Sequence, residues 1–279
     1  MRIYLGRHVY GSAAIAFGVI TLVWHDFNSW QQIRALGNVP HREVLVYIAA
    51  AVEIFGGIAI QWPRLARLGA LTLGALYLFF ALMWVPFMVA EPRVYDRWGN
   101  FFEQFSLVSG ALIVYGLSRY GLSGYSSSAD GSSGYASTGY ASIGRGASAG
   151  ATRTARVGYI FFGICVVSFT LEQLFYLSGT ASFVPKWILP GQMFWAITTT
   201  IALALAAIAI LSGRVALLAS RLLTVMLVGF GLLVWLPAPF ADPHKLISWA
   251  GNAQNLAITG AAWIVADFLS QNRSTSMAS

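Results

Sequence analysis

Residues 65–89 read LARLGALTLGALYLFFALMWVPFMV, with one charge, Arg67, close to one end. A helix crosses ~30 Å of hydrocarbon with about 20 apolar residues, so this stretch is long enough to span a bilayer. A helix of that length on a water-soluble protein would carry a polar stripe, and this one is apolar all round. It predicts a membrane-spanning helix, and the rest of the chain follows the same pattern. Seven further apolar segments lie at 9–24, 43–61, 101–118, 157–177, 193–211, 216–236 and 250–268. The expected fold is therefore all-α: a polytopic membrane protein with eight transmembrane helices.

Composition agrees. Hydrophobic residues make up 57% of the 279 and charged residues 10%, against about 25% charged in a soluble domain. That excludes a soluble enzyme, a disordered protein and a nucleic-acid binder, despite the net charge of +7. The lone Cys165 rules out an intrachain disulfide framework and a cysteine-pair zinc site. Arg2, Arg7 and His8 precede the first apolar run as they would in a signal peptide. However, Trp24-His25-Asp26-Phe27 follows with no small-x-small cleavage site, so a retained helix is expected.

Eight spans place both termini on one side. That side would hold Arg2, Arg7, Arg64, Arg67, Arg119, Arg145, Arg153, Arg156, Arg214, Arg221 and Arg273. The other would hold Arg34, Arg42, Arg93, Arg97, Lys186 and Lys245. The bias of basic residues predicts cytoplasmic termini in a cell (inner) membrane.

Residues 121–155 break the pattern with the low-complexity runs Gly124-Tyr125-Ser126-Ser127, Gly134-Tyr135-Ala136-Ser137 and Gly139-Tyr140-Ala141-Ser142. They read as a disordered linker. The flanking parts, 1–120 and 156–279, resemble one another. Trp84-Val85-Pro86 recurs as Trp235-Leu236-Pro237, Gly99-Asn100 as Gly251-Asn252, and Gly110 as Gly260, at an offset of 150 to 152. Trp, Pro and Asn in the same order are not a chance feature of apolar sequence. The expected architecture is two four-helix repeats of parallel topology, the second degenerate. Each Trp-x-Pro pair is expected to end the third helix of its half.

A polar residue at bilayer depth is a functional candidate by default. Glu53 sits near the middle of its segment, with Gly56 and Gly57 on its own face. Two readings stand: a hydrogen bond clamping a closely packed helix, or a small polar pocket. Thr21, Thr72 and Tyr77 are candidate partners. A second candidate is a pocket open to the non-cytoplasmic side, lined by Asn100, Glu103, Asn252, Asn255 and Glu172; interhelical hydrogen bonding is its alternative. Arg221 is expected to snorkel to the interface or to pair with Glu53 or a ligand. The histidines are not spaced for haem or zinc, so no metal is expected.

The motifs of the first part resemble the DoxX family of four-helix membrane proteins. Glu53-Ile54-Phe55-Gly56-Gly57 matches its Glu-x-x-Gly-Gly, followed by Pro63-Arg64. Asn100, Leu107 and Gly110 match its fourth helix, with Glu103 standing where the family usually has lysine. The resemblance covers about 110 residues and implies a four-helix bundle per half. It further implies a membrane subunit of a quinone-linked oxidoreductase, with quinone as the cofactor and other membrane redox subunits and the lipid bilayer as partners. Glu53 would then relay a proton or contact a quinone carbonyl. A small-molecule or lipid carrier and a membrane assembly factor remain as alternatives.

Overall fold

Hydrocarbon offers no water to satisfy a bare amide, so a spanning chain must close its backbone hydrogen bonds within itself. The computed structural model describes residues 5–26, 41–126 and 138–276, and every long element in it is a helix. These are α1 (Leu5–Trp24), α2 (Arg42–Gln61), α3 (Ala66–Ala90), α4 (Tyr95–Ser126) and α5 (Thr138–Phe175). Next come the short α6 (Leu177–Phe183), then α7 (Gln192–Ser212) and α8 (Ala216–Phe230). A π-helical turn, Gly231–Trp235, leads to the short α9 (Ala238–Ala241) and to α10 (Leu246–Ser276). We call the end of the bundle where α1 finishes the upper end, and the end where it starts the lower end.

Seven helices are long and apolar enough to cross a membrane: Leu5–Trp24, Arg42–Gln61, Ala66–Ala90, Tyr95–Ser118, Arg153–Phe175, Gln192–Ser212 and Ala216–Ala241. Their outward faces are apolar. On α7, Leu203, Ala206 and Ile210 are buried while Leu205 and Ile208 are 62% and 66% exposed. Such faces are insoluble in water and at home in lipid.

The expected eighth segment, 250–268, lies inside α10 but is not among the seven. Asn252, Gln254, Asn255, Thr259 and Asp267 lower its hydropathy. The reason is position. α10 packs against α1, α4, α5 and α8, and Ala250, Ala253, Ala257, Ala261 and Val265 are all buried. A helix enclosed by other helices meets little lipid and can be polar where its neighbours are polar.

Two other expectations differ. Pro86 does not end α3, which runs through it to Ala90. Proline already has a helical φ and forfeits only one amide bond. Past Pro237 the chain likewise turns helical again, in α9. The segment expected as a disordered linker is helical at both ends, because α4 continues to Ser126 and α5 begins at Thr138. Residues 127–137 lie outside the described residues.

Neighbouring helices meet at glycines. Lipid supplies no hydrophobic drive between helices, so close van der Waals approach must hold them. A methyl group on Gly57 would come to 2.6 Å from the Gly11 carbonyl oxygen, and one on Gly11 to 2.7 Å from that of Gly57. Gly69 of α3 lies against the backbone of Ile60, and Gly56 of α2 lies against Leu73. The same contacts recur across the chain. Gly11 faces Ile60 and Gln61 as Gly163 faces Ile210 and Leu211. Gly6 faces Trp263 and Ile264 as Gly158 faces Leu112 and Ile113. The Trp98 indole donates to the Pro92 carbonyl at 3.2 Å, and Trp249 to Pro243 at 2.9 Å. Gln104 of α4 donates to Gln254 of α10 at 3.5 Å, across 150 residues of sequence. The halves interleave: α1 packs along α10, and α5 along α4.

Gly57→Ala is expected to force α1 off α2 and to cost about 1–3 kcal/mol as overpacking. Gly229→Ala, where nothing lies within 4 Å of the added methyl, is expected to be neutral or stabilising. Thermal unfolding in detergent compares the two.

Candidate functional site

Glu53 lies about 16 Å along α2 from Arg42 at 1.5 Å per residue and is 3% exposed. The Thr21 hydroxyl of α1 donates to its carboxyl. Of the other expected partners, Thr72 turns back to its own helix, donating to the Leu68 and Gly69 carbonyls at 3.1 and 3.0 Å. Tyr77 of α3 stands within electrostatic range of Glu53, and its ring meets the Tyr10 ring edge-on at 6.2 Å. Tyr10 in turn donates to the Leu107 carbonyl of α4 at 2.8 Å. Gly56 and Gly57 do not open a cavity beside Glu53. Gly56 seats α3 and Gly57 seats α1, so both are filled by neighbouring helices. Glu53 is thus an interhelical hydrogen-bonding group in a closed environment.

The upper-end residues divide into two groups. Glu103 of α4 and Glu172 of α5 come together between the halves, within electrostatic range of each other and of Asp96. The Glu172 carboxyl lies against Gly99, where a side chain would displace it. Above the pair, Tyr95 donates to the Ser168 hydroxyl at 3.1 Å and its ring lies 5.1 Å from that of Phe175. The Tyr176 hydroxyl accepts from the Asp96 amide at 3.3 Å. One turn below, the Phe105 ring lies 5.4 Å from Phe101 and 5.2 Å from Phe161. Glu103 and Glu172 as residues are partly exposed, where Glu53 is buried. The arrangement brings two carboxyl groups together among aromatic rings.

Asn100, Asn252 and Asn255 do not join them. Asn100 donates to the Asp96 carbonyl of its own helix at 2.7 Å. Asn252 donates to the Trp235 carbonyl at 2.6 Å and Asn255 to that of Leu227 at 3.1 Å. These carbonyls flank the π-helical turn of α8, where the regular ladder is interrupted. Asn252 thus supplies a donor to the carbonyl that ends the turn, and Asn255 adds a second donor to the Leu227 carbonyl, which also accepts from the Gly231 amide. An apolar groove beside them is lined by Leu236, Pro239, Phe240, Pro243, Trp249 and Asn252.

The sequence reading missed Tyr95, Asp96, Ser168 and Tyr176. They belong to helix ends and polar positions with no motif, and only the pairing of α4 with α5 collects them. At the lower end, Arg221 is exposed and lies within electrostatic range of Asp267, not of Glu53. The Asp267 carboxyl accepts from the Gly6 amide in the first turn of α1 at 3.3 Å. Arg67 donates to the Tyr115 hydroxyl at 2.9 Å and sits over its ring. Among the described residues, no three His, Cys, Asp or Glu side chains are grouped to hold a metal ion. His25 is instead hydrogen-bonded to Tyr47 at 3.1 Å.

No family model, no curated protein and no solved structure matches the chain.

Asn255→Ala is expected to remove the side-chain donor from the Leu227 carbonyl, which keeps the Gly231 amide, and to destabilise by about 0.5–1.5 kcal/mol as a lost buried interhelical hydrogen bond. Asn100→Ala, whose bond closes onto its own helix, is expected to change stability by under about 1 kcal/mol. Denaturation midpoints of the two variants check the difference.

Proposed function

We propose that the chain is an eight-span protein of the cell (inner) membrane, built from two parallel four-helix repeats of DoxX-like type with both termini cytoplasmic. In this reading it serves as the membrane subunit of a quinone-linked oxidoreductase. The observation that carries the functional part is the carboxyl pair Glu103 and Glu172, one from each half, among Tyr95, Phe101, Phe105, Phe161 and Phe175.

A quinol must release two protons when it is oxidised, and a quinone must take up two when reduced. Two neighbouring carboxyl groups, each able to take up or give up one proton, match that stoichiometry. The aromatic rings offer apolar faces on which such a ring packs. Electrons pass to or from a redox group of the partner subunits that the resemblance implies. Glu53, enclosed by glycine contacts, has no room for a ring and acts in this reading as an interhelical tie.

The repeat architecture draws support from the recurring glycine contacts and from the Gln104–Gln254 pair, which places corresponding residues at the junction of the halves. The α10 helix counts as the eighth span because its polar face is buried by α1, α4 and α8. A carrier reading has one observation in its favour, the π-helical turn in α8. Asn252 donates to the Trp235 carbonyl at the end of that turn, which occupies a backbone acceptor a solute would need.

Glu103→Gln with Glu172→Gln is expected to lower quinone-linked turnover of the native assembly at least tenfold, and to lower the quinone co-extracted with the purified protein. Full turnover and quinone content in the double variant would sink the proposal, as would solute counterflow in liposomes. For topology, a membrane-impermeant maleimide is expected to label Asp242→Cys from outside in a Cys165→Ser background. It should label Ser276→Cys only after the membrane is opened.

A further inference from the structure

Glu53 and Tyr77 take no part in the upper junction, yet each ends in a buried oxygen that has no hydrogen-bond partner among the described residues. These are Oε2 of Glu53 and the hydroxyl of Tyr77. Both residues are buried, at 3% and 1% exposure. Thr21 satisfies the other side of the Glu53 carboxyl. Gly69 meets Ile60 and Gly56 meets Leu73, and this antiparallel register brings Tyr77 of α3 level with Glu53 of α2. The two are within electrostatic range of each other but do not form a hydrogen bond.

Buried polar atoms in proteins are paired, with protein or with ordered water. A phenol O–H donates and a carboxyl oxygen accepts, while a water molecule does both. An internal water is held by two to four polar partners. Glu53 and Tyr77 supply two, and Thr21 stands beside them. The helices around the site are closely packed. A methyl group on Gly18 would lie 2.8 Å from the Ala50 carbonyl oxygen, and one on Gly56 would lie 2.7 Å from Leu73.

We propose that one internal water molecule bridges the Tyr77 hydroxyl and the Glu53 carboxyl, tying α3 to α2 and, through Thr21, to α1. The water accepts from the Tyr77 O–H and donates to Oε2 of Glu53. The site belongs to the first half alone. In the second half Leu203 stands at the place of Glu53, and the corresponding helices are joined directly, with the Thr200 hydroxyl donating to Gln173 at 3.1 Å. None of the upper-junction residues enters this site, so its failure and the failure of the quinone reading are separate results.

Two measurements on the full chain in lipid nanodiscs test it. A density map that resolves ordered water is expected to show one peak within hydrogen-bond distance of both Oε2 of Glu53 and the Tyr77 hydroxyl. The peak should vanish in Tyr77→Phe. Absence of the peak, a direct Tyr77–Glu53 bond, or a peak present in sodium and lost in choline buffer would each overturn the proposal. The second measurement is thermal unfolding. Tyr77→Phe is expected to lower the midpoint in the wild type and in Glu53→Gln, which keeps an acceptor, and to have little effect in Glu53→Leu. Equal lowering in all three backgrounds would also overturn it.

Discussion

Close approach of helix backbones is the constraint from which the rest of this molecule follows. In lipid the helices gain nothing from burying apolar surface, so they must gain it from contact. The glycines at positions 11, 18, 56, 57 and 69 bring α1, α2 and α3 together backbone to backbone. Once the helices are that close, a side chain pointing inward must be small or find its place in the neighbouring helix. Alanine fills much of the core for this reason, and Glu53 is reached by Thr21 from the adjacent helix.

The interleaving of the halves extends the same logic. With α1 lying along α10 and α5 along α4, the halves share a continuous core. The helices at the junction are also the most polar. Gln104, Ser106 and Ser109 of α4 and Gln254, Asn255 and Thr259 of α10 are buried. Shielded from lipid, these side chains can be spent on one another and on neighbouring backbone. Asn252 and Asn255 donate to carbonyls beside the π-helical turn of α8, and Gln104 reaches Gln254. Polar character here marks burial between helices, not exposure to water.

The carboxyls show two different environments. Glu53 sits in a closed space where packing excludes any sizeable ligand. Glu103 and Glu172 sit at the seam between halves, half-buried, with rings above and below. The first suits a fixed interhelical tie. The second brings two carboxyl groups from different helices together beside aromatic rings.

The sequence by itself determined the helical, membrane-spanning class, because hydropathy over twenty residues is a local property set by contact with lipid. It marked Glu53 through its glycine neighbours, and it showed Trp, Pro and Asn recurring in order at an offset of 150 to 152. It misjudged Pro86, because a helix passes through a proline wherever the chain stays in helical φ. It grouped Asn252 and Asn255 with Glu103 and Glu172, because equal spacing along a helix fixes a face but not what that face meets. Only the tertiary structure decided that the asparagines turn to α8 while the glutamates meet across α4 and α5. Only it decided that Thr21, rather than Thr72, reaches Glu53. Which face meets which neighbour depends on how closely and at what register the helices pack, and that is a property of pairs of helices that no single segment contains.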